Sequence, residues 1–109
     1  MNAALLSPSP ANPHPAIERC LQAGRVAHGG ALLLEQPEFE CEERFCDAYL
    51  AALPDLSTHE NVCAFVACVS YGMINGVIYR DDARSYLYAS QVALSAVPRT
   101  PARPKTAAA

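Results

Sequence analysis

An uncharged run from Asn61 to Tyr79 is the feature that most constrains how this 109-residue chain can fold. The run is apolar nearly all round, and a helix of that kind must be surrounded by other structure. Ser57 and Glu60 precede it with the spacing of a capping box, a pattern that starts helices. The sequence therefore predicts a central apolar helix at about 58–78.

Three further helices are predicted around the central one. The first begins at Pro15, because proline is favoured in a first helical turn. The second begins near Pro37 and is stopped by Pro54, and the fourth begins near Asp82. No alternating apolar–polar run of useful length indicates a strand. We therefore predict an all-α fold, a compact bundle of about four helices.

Glycines and other small residues predict two local features. Gly29 and Gly30 are expected to end or bend the first helix, because paired glycines inside a helix cost roughly 2 kcal/mol relative to alanine. Along the central helix small residues recur every four positions and predict a ridge that a neighbouring helix approaches closely, formed by Ala64, Cys68, Gly72 and Gly76.

The helical domain is predicted to span residues 15–97. Residues 1–14 and 98–109 contain three prolines each among small residues, a composition that disfavours a packed core. We therefore expect disordered N- and C-terminal tails on either side of one domain.

Charge is divided unevenly between the domain and the C-terminal tail. Residues 15–97 contain all eleven acidic and five of the eight basic side chains, a net charge of −6, whereas the tail carries +3. An acidic domain disfavours a groove that neutralises phosphates, so we expect no direct binding of nucleic acid.

The cysteines and the chain start predict a compartment. Five cysteines, an odd number, follow a start that lacks the basic and long apolar parts of a signal peptide. We therefore expect free thiols and a cytoplasmic protein. The uncharged run contains Ser70, Asn75 and two glycines, so we expect it to pack in a domain and not to span a membrane.

The patterns associated with catalysis or metal binding are incomplete. His59 to Cys63 falls one histidine short of the zinc-protease pattern His-Glu-x-x-His. In each of the pairs Cys41/Cys46 and Cys63/Cys68, the two thiols point to different faces of the helix, because five residues turn a helix by about 140°. Cys41, which has acidic neighbours, is predicted to be the most exposed thiol. We therefore expect no catalytic residue, no metal and no cofactor, and predict that the protein is not an enzyme.

The acidic stretch 35–47 is the remaining candidate site, with six carboxylates and one arginine. An anionic surface of this kind attracts a basic partner. The predicted partner-binding residues are Glu35, Glu38, Glu42, Glu43 and Asp47. The leading hypothesis is a small helical interaction or regulatory protein that binds a protein partner or a second copy of itself. The alternative is an acidic inhibitor, of the type found in phages and mobile elements, that occupies a partner's nucleic-acid-binding groove.

Overall fold

The structure is a computed structural model that describes residues 3–6 and 14–97. In these ranges the chain forms no strand, and its α-helices are α1 (Pro15–Leu33), α2 (Glu38–Ala51), α3 (His59–Ile74) and α4 (Arg80–Ala96). The predicted all-α fold with four helices is confirmed. The predictions for residues 98–109, and for most of 1–14, lie outside the described residues.

The helices pack as two hairpins. Helix α1 lies along α2, α3 lies along α4, and a contact between α1 and α3 joins the two pairs. The centre of the bundle is therefore shared by α1 and the predicted central helix α3. Large side chains from three helices are completely buried between them and supply most of the apolar core, among them Leu21, Phe45, Tyr49, Val62 and Val69. Complete burial of an apolar side chain of this size contributes about 1.5–3 kcal/mol.

A buried hydrogen bond connects α2 to α3. The hydroxyl of Tyr49 donates to the backbone carbonyl of Cys68 at 2.7 Å. Desolvation in the core, with the Cys68 and Cys20 thiols nearby, raises the pKa of Tyr49 well above its usual value. The hydroxyl is therefore a permanent donor that fixes α2 against α3.

Helix α3 begins one residue later than its capping box predicts. The side chain of Thr58, and not that of Ser57, accepts the hydrogen bond from the backbone N–H of Asn61 at 3.0 Å. Ser57 instead binds Asp55 through both its backbone N–H and its hydroxyl. The prediction of Ser57 as the cap was wrong, because its side chain is hydrogen-bonded to the carboxylate of Asp55 and not to the start of α3.

Helix α1 continues through Gly29 and Gly30, so the predicted break there is wrong. Apart from its chain neighbours and the backbone of its own helix, a Cβ built on either glycine meets no atom of the described residues within 4 Å. The helix ends at Leu33, and Glu35, two residues later, has a φ of 58°. The backbone N–H of Glu35 donates to the carbonyl of Leu32, and that of Gln36 donates to the carbonyl of Ala31. This is the Schellman arrangement, in which glycine usually occupies the left-handed position. Packing against α2 therefore outweighs the low helix propensity of the two glycines.

An N-terminal turn lies against α1. Residues Ala3–Leu6 form a 3₁₀ turn, and Leu5 is only 3% exposed. The side chain of Arg25 donates to the carbonyl of Leu5 at 2.8 Å and pairs with Glu18 at 2.7 Å. The segment 1–14, predicted to be disordered, thus includes a turn that belongs to the packed domain.

An acidic groove as the candidate functional site

An open groove of about 640 Å³ lies between the outer face of α2 and the segment that links α3 to α4. Four carboxylates and two aromatic rings lie on its walls, and its floor is mainly apolar. We call it the acidic groove, and its lining residues are Phe39, Glu42, Glu43, Cys46, Asp47, Leu50, Gly76, Val77, Ile78, Tyr79 and Asp82.

Helical periodicity explains the contribution of α2. The six α2 residues of the groove are spaced so that they fall within one face of a helix, because each residue advances by about 100°. Cys41, Phe45 and Tyr49 lie on a different face and are buried in the core. One face of α2 thus packs in the core, and another lines the groove.

The end of α3 builds the opposite wall. Gly76 has a φ of 78°, and the N–H groups of Gly76 and Val77 donate to the carbonyls of Met73 and Gly72. This is a second Schellman arrangement. Ile78 also donates to the Gly72 carbonyl at 3.1 Å. The chain therefore turns sharply, and Val77 and Ile78 form the floor of the groove. Tyr79 ends the link and is the residue before α4.

Gly72 allows this turn to close onto α3. A Cβ at Gly72 would lie 2.8 Å from Cδ1 of Ile78 and 3.2 Å from the ring of Tyr49. The predicted close approach at Gly72 is therefore present. The predicted ridge is wrong at its end, however, because α3 stops at Ile74 and Gly76 serves as the left-handed residue after the helix.

The groove is anionic. Glu42 and Glu43 lie on α2 with Asp47, and Asp82 comes from the first turn of α4. No basic side chain is among the lining residues, and within the part of the chain that the structure describes no ion pair joins these carboxylates to a cation. Their charges therefore reinforce one another across the groove.

The anionic environment of the groove affects the thiol of Cys46. Burial and the carboxylates of Asp47 and Glu42 raise the pKa of the Cys46 thiol. A thiol of this kind stays protonated at neutral pH, and the protonated form is a poor nucleophile. Cys46 therefore contributes to the groove as a half-buried apolar side chain.

Two aromatic rings stand at the edges of the groove. Phe39 is 68% exposed and Tyr79 is 84% exposed, whereas Val77 and Ile78 on the floor are buried. Exposed aromatic rings beside carboxylates provide both faces for stacking and charges for pairing with a cation. The arrangement is suited to a basic segment that carries apolar or proline residues.

The structure brings together three of the five predicted partner-binding residues. Glu42, Glu43 and Asp47 line the groove, whereas Glu35 and Glu38 are exposed outside it. Glu35 precedes α2, and Glu38 lies in the first turn of that helix, one turn before Glu42 and beyond the end of the groove. Sequence reasoning missed Asp82 and Tyr79, which reach the groove only through tertiary packing. Phe39 was detectable, since it shares a helical face with Glu42 and Glu43.

The other candidates for chemistry remain isolated. The ring of His59 lies 3.9 Å from the sulfur of Cys63, so these residues share a face of α3. Among residues 3–6 and 14–97, no group of three His, Cys, Asp or Glu side chains is placed to hold a metal ion. Cys41, predicted to be the most exposed thiol, is completely buried and contacts the carbonyl of Gln36 at 3.5 Å, while Cys63 is exposed. The α2 face was misassigned for that residue.

None of the helices in the described ranges has the length and apolar character needed to cross a membrane. No protein-family model, curated protein or solved structure matches the chain.

Proposed function

We propose that this protein is a non-enzymatic interaction domain whose acidic groove receives a basic, extended segment of a protein partner. The observation that carries the proposal is the coincidence of four carboxylates with two exposed aromatic rings in one groove. We place this activity in the cytoplasm, because all five cysteines are free thiols, as expected of a reducing compartment.

The chemistry of the groove favours arginine over other side chains. A guanidinium group pairs with a carboxylate through two parallel N–H donors and stacks on an aromatic face. In the groove Glu43 and Asp47 supply the carboxylates, while Phe39 and Tyr79 supply the rings. An extended segment can also place apolar side chains on the floor formed by Val77 and Ile78.

The concave shape distinguishes this proposal from the alternative. An acidic inhibitor that enters a partner's nucleic-acid-binding groove needs carboxylates on a protruding surface. Here Glu42, Glu43 and Asp47 line a groove, so they are better placed to surround a ligand than to be surrounded. The two functions predict different roles for Glu35 and Glu38, which lie outside the groove.

Binding of a defined peptide tests the proposal. The probe is a fluorescein-labelled peptide of three Ala-Arg-Pro repeats, with a glutamate-for-arginine peptide as its control, titrated by fluorescence anisotropy. The groove variant Glu43→Lys/Asp47→Lys should weaken binding by about tenfold or more, which corresponds to about 1.4 kcal/mol. The matched variant Glu35→Lys/Glu38→Lys changes the net charge equally. It should weaken binding by less than about threefold, because these side chains lie outside the groove and salt screens their charges from the peptide.

Equal loss in the two variants would contradict the groove as the site. That result would mean that net charge alone attracts the peptide, or that a larger acidic face is covered as the inhibitor alternative requires. Circular dichroism of both variants establishes that the helices are retained. Binding that does not weaken with added salt would also contradict a charge-steered contact.

A further inference from the structure

The chain's own C-terminal segment has the composition that the groove requires. Residues 98–105 read Pro-Arg-Thr-Pro-Ala-Arg-Pro-Lys, with proline at every third position and three cations. A polyproline helix has three residues per turn. In that conformation the prolines would form one edge, and the cations would lie on the other two.

Charge and length match between the segment and the groove. The groove carries four carboxylates and the segment three cations. Along α2 the groove extends from Phe39 to Leu50, about 16 Å at 1.5 Å per residue. In a polyproline helix, at 3.1 Å per residue, the segment from Pro98 to Lys105 spans about 22 Å, and its part from Pro98 to Arg103 covers about 16 Å, the length of the groove. Aromatic-lined grooves are a common receptor for proline-rich segments.

The length of α4 disfavours binding of the segment to the groove of its own chain. Asp82 lies in the groove, and α4 carries the chain about 22 Å away from it before the helical domain ends at Val97. A fully extended chain covers at most about 3.6 Å per residue, so Arg99 reaches only about 7 Å beyond Val97. Arg103 would need full extension to return to Asp82. Most of the segment would serve as a tether, with little left to bind.

We infer that the acidic groove receives residues 98–105 of a second copy of this chain. The inference rests on the proposed function and names the partner as the protein itself. Each copy then offers one groove and one segment, so two copies that exchange segments satisfy both grooves in a closed pair. Arg99 and Arg103 pair with the groove carboxylates, and the prolines lie against Phe39 and Tyr79.

Light scattering on the full chain with paired variants tests the inference. The parent, of 11.7 kDa, should approach twice that mass as its concentration rises. The segment variant Arg99→Glu/Arg103→Glu/Lys105→Glu and the groove variant Glu43→Lys/Asp47→Lys should each remain monomeric. A matched control, Arg19→Glu/Arg44→Glu/Arg84→Glu, reverses three exposed arginines of the helical domain outside the groove and should assemble as the parent does.

Mixing the variants identifies the contact as intermolecular. The intact segment of the groove variant should not bind the reversed groove of its own kind. It should bind the intact groove of the segment variant, so an equimolar mixture should assemble although neither component does.

A parent that stays monomeric at every concentration, or a segment variant that assembles as the parent does, would overturn the inference. A mixture that stays monomeric would also overturn it. The proposed function fails separately, if the Ala-Arg-Pro peptide binds the parent and the groove variant equally.

Discussion

Tyr49→Phe removes one buried hydroxyl and nothing else from the interface between α2 and α3. The hydrogen bond to the Cys68 carbonyl, 2.7 Å long, is lost, while the ring keeps its place in the core. The carbonyl lies inside α3 and keeps its helical partner, so it is not left without a hydrogen bond. We therefore expect a loss of about 1 kcal/mol and not the larger cost of an orphaned buried group.

The effect should depend on pH in a defined direction. Burial raises the pKa of Tyr49 in the folded protein, whereas in the unfolded chain tyrosine titrates near 10. Below pH 10 both states keep the proton and the hydroxyl contributes fully. As pH rises above 10 the unfolded state loses its proton first, so the parent loses stability, by up to about 1.4 kcal/mol per pH unit. The phenylalanine variant lacks this loss. Its smaller free energy of unfolding relative to the parent should therefore be made up within about one pH unit above pH 10.

Urea unfolding followed by circular dichroism at neutral pH and at several values above 10 measures both effects. At neutral pH the melting temperature should also fall, by about 4–8 °C for a domain of this size. Parent and variant differ only by the Tyr49 hydroxyl, so the difference between the two curves measures what that hydroxyl contributes. A variant as stable as the parent at neutral pH, or a deficit that persists unchanged into alkali, would refute the buried hydrogen bond.

The remaining stability predictions concern glycines and a helix cap. Gly29→Ala/Gly30→Ala should raise the free energy of unfolding by about 1–2 kcal/mol, because both positions are helical with open space around them; a loss of stability in thermal unfolding would place them in a contact. Gly72→Ala should instead destabilise by about 1–3 kcal/mol through the contact with Ile78, and a gain would show that the turn after α3 yields freely. Thr58→Ala should cost about 1 kcal/mol through the lost cap, whereas a cost no larger than that of Ser57→Ala would argue against Thr58 as the cap.

Local signals were sufficient to predict the helices. Prolines and the uncharged run marked the four segments, because these features act within a few residues of themselves. Errors arose where neighbours compete. Gly29 and Gly30 have low helix propensity, yet α1, which packs along α2, continues past them. Ser57 has the right spacing for a cap, yet Asp55 binds it.

The groove was only partly accessible to sequence reasoning. Glu42, Glu43 and Asp47 share a face of α2, which helical periodicity reveals. Asp82 joins them only because the turn after α3 folds back onto Gly72, and no local pattern specifies where α4 then begins relative to α2. Gly76 did carry a usable signal, since a glycine that follows asparagine at the end of an apolar run is typical of a left-handed helix end.

Nuclear magnetic resonance of the full chain tests the central claim most directly, because it locates a ligand residue by residue. Amide signals of ¹⁵N-labelled protein are followed during titration with the Ala-Arg-Pro peptide. The groove account predicts the largest shifts at Cys46, Asp47 and the residues from Val77 to Tyr79. Unchanged signals there, with shifts instead on the exposed face of α4 around Tyr88 and Val92, would contradict it.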